Sequence, residues 1–97
     1  MEVVFLLAAE TDLQQAYDWV AEHRQGKEQS FLHDVESRLE QLTRFPLSGC
    51  LYRGRYRRLL IPRYPFGIFN VVESNRIIVH SIFDLRRSPE KLTERLQ

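Results

Sequence analysis

Cysteine is nearly missing from this chain of 97 residues, and glycine and proline are sparse at four each. The lone Cys50 has no second cysteine for an internal disulfide, a zinc knuckle or a redox pair, so its thiol is read as buried or incidental. With hydrophobic residues at 43% and charged residues at 28%, the composition excludes a disordered or low-complexity chain. No apolar run reaches the length of a bilayer span. The apolar opening Val3–Ala9 is preceded by Glu2 and followed by Glu10 and Asp12, without the basic leader of a secretory signal. His23 and His33 share no ligand spacing with each other or with a carboxylate, so neither a metal nor a cofactor is expected. These absences point to a folded cytoplasmic protein, one domain over residues 1–97 with a single core.

Acids are also missing where arginine is densest. Arg53, Arg55, Arg57, Arg58 and Arg63 follow one another with no Asp or Glu between them, and Arg86 and Arg87 form a second group. Residues 51–97 hold ten Lys and Arg against four acids, and residues 1–50 hold four against nine, a division that the overall charge of +1 conceals. Alternating arginines can simply protect an exposed strand edge from aggregation. Five without an intervening acid exceed that need, and planar, forked guanidinium groups suit phosphates or carboxylates. A polyanion or an acidic peptide is the expected partner, met by all seven arginines on one concave surface.

Hydrophobic periodicity outlines the elements. Val3–Leu7 reads as a strand buried on both faces. Thr11 followed by Gln14 matches a capping box, and Leu13, Ala16, Tyr17 and Val20 recur at helical spacing, predicting a helix over 12–23. Beyond Gly26, the stripe Phe31, Leu32, Val35, Leu39 and Leu42 predicts a second helix over 27–43, closed by Phe45-Pro46-Leu47-Ser48-Gly49. Three strands follow at 56–61, 66–73 and 76–84, the last two joined by the tight pair Ser74-Asn75. Ser88-Pro89-Glu90 is a helix start, predicting a short helix over 89–96. The fold class is α+β: an N-terminal strand, a helical hairpin, a three-stranded antiparallel meander and a short C-terminal helix, with helices on one face of the sheet.

Single residues have plain readings beside sharper ones. Alternation sets His80 with Ile78 and Ile82 on an apolar face, as a hydrogen-bonded core histidine rather than a base. Tyr56 and Tyr64 flank the basic strand, where aromatics can stack on bases, although such rings commonly pack and leave the hydroxyl exposed. Trp19 is placed beside the helical stripe, covering the sheet.

The order of these pieces resembles the RelE/ParE superfamily of type II toxin–antitoxin toxins. The likeness rests on Ala9-Glu10-Thr11-Asp12-Leu13, Tyr56-Arg57-Arg58-Leu59-Leu60, Pro65-Phe66-Gly67-Ile68-Phe69-Asn70-Val71-Val72 and Asp84-Leu85-Arg86-Arg87-Ser88-Pro89 with Arg95. It implies a curved sheet with an N-terminal helical hairpin, and a cognate antitoxin whose acidic, amphipathic C-terminal segment folds onto the toxin. It also implies one of two targets. RelE-like members cleave mRNA in the ribosomal A site, and ParE-like members poison DNA gyrase without recognised catalytic residues.

Ribonuclease chemistry would fall to Arg58, Arg63 and Arg87 with an unidentified base. The family places an arginine where this chain has Gly67, and a C-terminal tyrosine where residues 85–97 have none. The ParE-like ending keeps the basic pair and the proline but carries Asp84 in place of a histidine, an aspartate able to orient Arg86 and Arg87 by ion pairing. The resemblance therefore leans to a ParE-like gyrase inhibitor without an enzymatic step. The expected target- or antitoxin-binding residues are Arg53, Arg55, Arg57, Arg58, Arg63, Asp84, Arg86 and Arg87. A ribosome-dependent endoribonuclease and a degenerate, non-toxic basic module are the alternatives.

Overall fold

Ser74 and Asn75 both take positive φ, 51° and 62°, the two-residue turn whose twist matches that of paired strands. The turn joins two long strands at the centre of the computed structural model, which describes all 97 residues. The elements run β1 (Glu2–Phe5), α1 (Leu7–His23), α2 (Glu28–Arg44), β2 (Cys50–Tyr52), β3 (Tyr56–Leu60), β4 (Phe66–Glu73), β5 (Arg76–Asp84) and α3 (Pro89–Leu96). They form one five-stranded sheet in the order β1-β5-β4-β3-β2. The α+β class and the meander β3-β4-β5 stand as read from the sequence. The sheet itself is mixed, because β1 runs parallel to β5, pairing Glu2 with Arg76 and Phe5 with Val79.

Two local readings are corrected. Helix α1 begins at Leu7 rather than Asp12, and its N-cap residue Leu6 makes no side-chain cap. The backbone supplies what the capping box was expected to give. Leu6 N–H donates to Val79 O, while Ala9 and Glu10 N–H donate to Leu6 O, so the chain passes from strand to helix with its orphan amides already bonded. Thr11 lies within the first turns, its hydroxyl donating back to Leu7 O. Strand β1 is half-buried rather than buried on both faces, as befits an edge.

Strand β2 was not read from the sequence. Its three residues pair with β3, Cys50 opposite Arg58 and Tyr52 opposite Tyr56. Glycine permits the approach: a Cβ at Gly49 would stand 3.0 Å from the Arg58 carbonyl oxygen. Cys50 is exposed on this edge, not buried.

A bulge in β5 decides which side chains face which layer. Phe69 pairs with Ser81 and Asn70 with Val79, so His80 is an extra residue that resets the alternation. Ile77, Val79 and Ile82 therefore share one face, packing with Leu59, Ile61, Phe66 and Ile68 against Ala9, Ala16 and Val20 of α1 and Phe31, Val35 and Leu42 of α2. His80 is separated from Ile82, contrary to simple alternation.

The opposite face holds a smaller cluster of Phe69, Phe83, Leu92 and Leu96, with Tyr52, Tyr56 and Leu85 packed on it. Here α3 covers the sheet, so the helices lie on both faces rather than one. Ser88 caps α3, accepting from Lys91 N–H, and Pro89 occupies its first turn. The Tyr56 hydroxyl donates to Leu96 O, and Arg53 donates to Thr93, fastening the helix to β3 and the turn before it.

Candidate functional site

The seven arginines do not meet on one surface, because strand alternation and the loops send them to different layers. Arg57 shares the face of Leu59 and reaches the carbonyls of Leu47 and Gly49, at 3.3 and 3.0 Å. Arg63, in the β3–β4 loop with φ of 70°, donates to both carboxylate oxygens of Asp34 on α2, at 3.0 and 2.8 Å. The hydrogen bond and charge of buried Asp34 hold the Arg63 guanidinium above its ordinary pKa. Arg55 pairs with Glu73 at 2.7 Å, and Arg53 is held by Thr93.

Asp84 orients one of its two neighbours. Its carboxylate accepts from Arg86 Nε at 2.9 Å and from a terminal nitrogen of the same side chain at 2.7 Å, a forked pairing. Hydrogen bonding to Arg86 holds the Asp84 carboxyl below the usual carboxylate range, against the opposing effect of its partial burial. The same pairing raises the Arg86 guanidinium. Arg86 also lies over the Trp19 ring, its Cζ 4.5 Å from the centroid.

Two guanidinium groups of the seven remain without any hydrogen-bonded or ion-paired partner: that of Arg58, whose stem lies against Gly67, and that of Arg87, which lies by Phe83, the strand neighbour of Gly67. Arg58 lies on β3 facing the α3 layer. Its Cγ would stand 3.4 Å from a Cβ at Gly67, with both Leu85 methyls at 3.5 Å. Gly67 pairs with Leu60 on one side and Phe83 on the other. Arg87 lies over the Phe83 ring at 5.3 Å. The methylene stem of Arg58 thus lies beside Gly67 at the distance of an ordinary van der Waals contact, with the Leu85 methyls as its apolar neighbours. Each of these free, forked cations, Arg58 beside Gly67 and Arg87 over Phe83, can engage an anion or a carboxylate.

Other chemistry-bearing groups lie apart. His80 is half-buried against Tyr56, ring centroids 5.2 Å apart and perpendicular, and burial, then the charge of Arg55, push its pKa below the ordinary value. Tyr64 packs edge-on to Phe31 at 5.0 Å, and Trp19 packs edge-on to Phe66 at 5.7 Å. No group of three or more His, Cys, Asp or Glu side chains is arranged to hold a metal ion.

Two features escaped the sequence reading. Trp19 is the hub of a cation–aromatic cluster: His23 stacks on it at 4.9 Å, and Arg24 lies 5.6 Å from its centroid and 5.4 Å from that of Tyr64. The spacing of Trp19 and His23, one helical turn apart, was the available signal. The other feature is Asp12, which lines a cleft of about 170 Å³ with Trp19, Phe66, Ile82, Asp84 and Arg87. Its carboxylate is bonded to Arg95 from α3 across a separation of 83 residues, a contact that no local pattern announces.

Comparison with known proteins agrees with this architecture. The family model described as the ParE toxin of the type II toxin–antitoxin system parDE matches residues 3–89. The chain belongs to that family and is a ParE-like toxin of the type II toxin–antitoxin class. A solved structure titled as the chromosomal ParDE toxin–antitoxin system from P. aeruginosa superposes with a TM-score of 0.75, covering 88% of this chain and 96% of that one at 20% identity. At that identity the likeness speaks for the fold. No curated protein sequence matches. No helix is long and apolar enough to cross a membrane.

Proposed function

We propose that this toxin, acting in the cytoplasm as one domain over residues 1–97, inhibits DNA gyrase by contact and is silenced by a cognate antitoxin. The observation that carries the reading is the setting of Arg58 and Arg87. They are free to engage a partner, yet the carboxylates that share the cleft with Arg87, Asp12 and Asp84, are already bonded to Arg95 and Arg86, and Phe83, Leu85 and Leu60 offer no group to take a proton from a ribose hydroxyl. Gly67 stands where the resemblance places an arginine in the ribonuclease members. Cationic contacts beside apolar side chains suit a protein surface. Arg53, Arg55, Arg57, Arg63 and Arg86, already bonded within the chain, shape the surroundings and add positive potential, and Asp84 fixes Arg86.

A supercoiling assay with purified toxin tests this. Relaxed plasmid should stay relaxed as toxin is titrated against gyrase, and full supercoiling at saturating toxin would remove gyrase as the target. Primer extension on translated message forms the second arm. Translation-dependent cuts that vanish in Arg87→Ala would install the ribonuclease reading instead.

A further inference from the structure

We infer that the cleft between α1 and the end of β5 is a binding site for a small monocarboxylate built on a single aromatic ring, whose occupancy takes Arg87 out of contact with gyrase. The effect on gyrase rests on the function proposed above; the site itself does not. β1 pairs with β5 only as far as Phe5 and Val79, and the chain then turns into α1. Past that point the outer side of β5 has a helix beside it instead of a strand. Asp12, Gln15, Ala16 and Trp19 stand at i, i+3, i+4 and i+7, one stripe of α1, and line a cleft of about 170 Å³ against the end of β5. The walls are fixed. Trp19 is packed edge-on to Phe66 at 5.7 Å and stacked with His23 at 4.9 Å, and Asp12 is bonded to Ser81, the Ile82 amide and Arg95. Two lining groups are left unengaged, the Gln15 amide and the Arg87 guanidinium. Preformed walls, an apolar floor and a few convergent polar groups are the ordinary makings of a small-molecule site.

Charge and size select the occupant. Asp12 is met by Arg95 and Asp84 by the forked pairing with Arg86, so Arg87 is the one charged group of the cleft without a counter-ion. The cleft therefore calls for a single negative charge, and a planar carboxylate matches the guanidinium fork. A cationic ligand would have to displace Arg95 or Arg86 from its carboxylate. A phosphate dianion would bring its second charge beside two carboxylates, with no cation left to meet it. Ala16, Phe66, Ile82 and Phe83 supply the apolar remainder, which suits a ring. An apolar cavity of about 150 Å³ holds benzene, so about 170 Å³ takes one ring with its carboxylate and leaves no room for a peptide segment.

Benzoate is the probe, and Trp19, the only tryptophan of the chain, reports on it from the cleft wall. Trp19 emission should change saturably with benzoate, and calorimetry should give a Kd of about 1 mM or tighter. Benzamide keeps the ring without the charge and acetate keeps the charge without the ring, and each should bind about tenfold more weakly or worse. Arg87→Gln should weaken benzoate binding about tenfold. Gln15 is exposed on α1, so its variants keep the fold: Gln15→Lys, adding a cation, should tighten binding and Gln15→Glu should weaken it. No saturable change with benzoate, equal binding of benzamide, or a Kd within about twofold of wild type in Arg87→Gln would overturn the site. So would backbone amide shifts that cluster away from residues 12–19 and 82–87. In the supercoiling assay, saturating benzoate should relieve inhibition by the wild-type toxin while leaving gyrase alone unaffected, and undiminished inhibition would overturn the effect on gyrase. Emission and Kd are read without gyrase. A toxin inactive on gyrase therefore overturns the function proposed above, while the site stands or falls on its own Kd.

Discussion

Asp12 on α1 accepts the hydroxyl of Ser81 on β5 at 2.8 Å, and the same carboxylate oxygen takes the Ile82 backbone N–H at 3.1 Å and the guanidinium of Arg95 from α3. β1 pairs with β5 only as far as Val79, so beyond the bulge Asp12 stands in for the missing strand. Arg95 completes the closure by approaching the His80 carbonyl at 3.4 Å. One side chain therefore ties together a helix from each face and the edge between them.

Removing that carboxylate leaves Ser81 and the Ile82 amide without their acceptor, and Arg95 with only its longer contacts to the Ala8 and His80 carbonyls. Asp12→Ala is expected to cost about 2–3 kcal/mol, read as a lowered urea midpoint with an unchanged m-value. Asp12→Asn, which keeps an acceptor oxygen, should cost less. A loss under about 0.5 kcal/mol for Asp12→Ala would show that the closure contributes little to stability.

Arg58 and Arg87 carry the proposed contact, so their charges should matter to inhibition and not to folding. Arg58→Met keeps an apolar stem over Gly67, and Arg87→Gln keeps a polar side chain beside Phe83. Each should weaken gyrase inhibition about tenfold or more while stability moves by less than about 0.5 kcal/mol. Arg55→Ala is the comparison: it removes an exposed pair with Glu73, shifting stability by less than about 1 kcal/mol and leaving inhibition near wild type.

Acid should destabilise the protein through two identifiable groups. Asp84 has a folded pKa below its ordinary 3.8, so between that lowered value and 3.8 the unfolded chain binds more protons and stability rises with pH. Its contribution is full above 3.8 and is lost as pH falls through the folded value. His80, held below its ordinary 6.5, acts in the same direction in a higher window: stability falls as pH drops below 6.5 toward the folded value. Urea midpoints from pH 2 to 8 should show Asp84→Asn flattening the acid limb and His80→Gln flattening the step below 6.5. An unaltered profile in either variant would remove that group as a source.

Asn70 is fully buried on β4, and neither its Oδ1 nor its Nδ2 has a hydrogen-bond partner. No group of the chain compensates the desolvation of that amide, which makes the position a place where an apolar residue of similar shape is favoured. Asn70→Leu is expected to raise stability by about 1–2 kcal/mol, visible as a higher melting temperature. A drop in melting temperature would mean that the amide holds a structural partner.

Local signals were legible wherever neighbours in sequence settle the outcome. The stripe from Phe31 to Leu42, the Ser88-Pro89 cap and the Ser74-Asn75 turn each hold their information within a few residues, and all three stand where they were read. The start of α1 was misplaced because its first amides are satisfied by Leu6 O, whose own N–H is fixed by Val79, 73 residues away. β2 was missed because three residues carry too little periodicity to register. Among the arginines, local sequence marked the group but not its fates: Asp34, Glu73, Thr93 and the Leu47 carbonyl are all distant claimants.

The order of residues alone determined that this chain folds as a helical hairpin and a meander, that its charge is divided between halves, and that it resembles a toxin of the RelE/ParE kind. Tertiary structure decided which guanidinium groups stay free. An arginine side chain is long enough to reach several acceptors, and which of them falls within hydrogen-bonding distance depends on how strands, loops and helices cross, on the His80 bulge and on the placement of α3 over the sheet. Arg58 and Arg87 differ from their neighbours by what the fold left out of their reach.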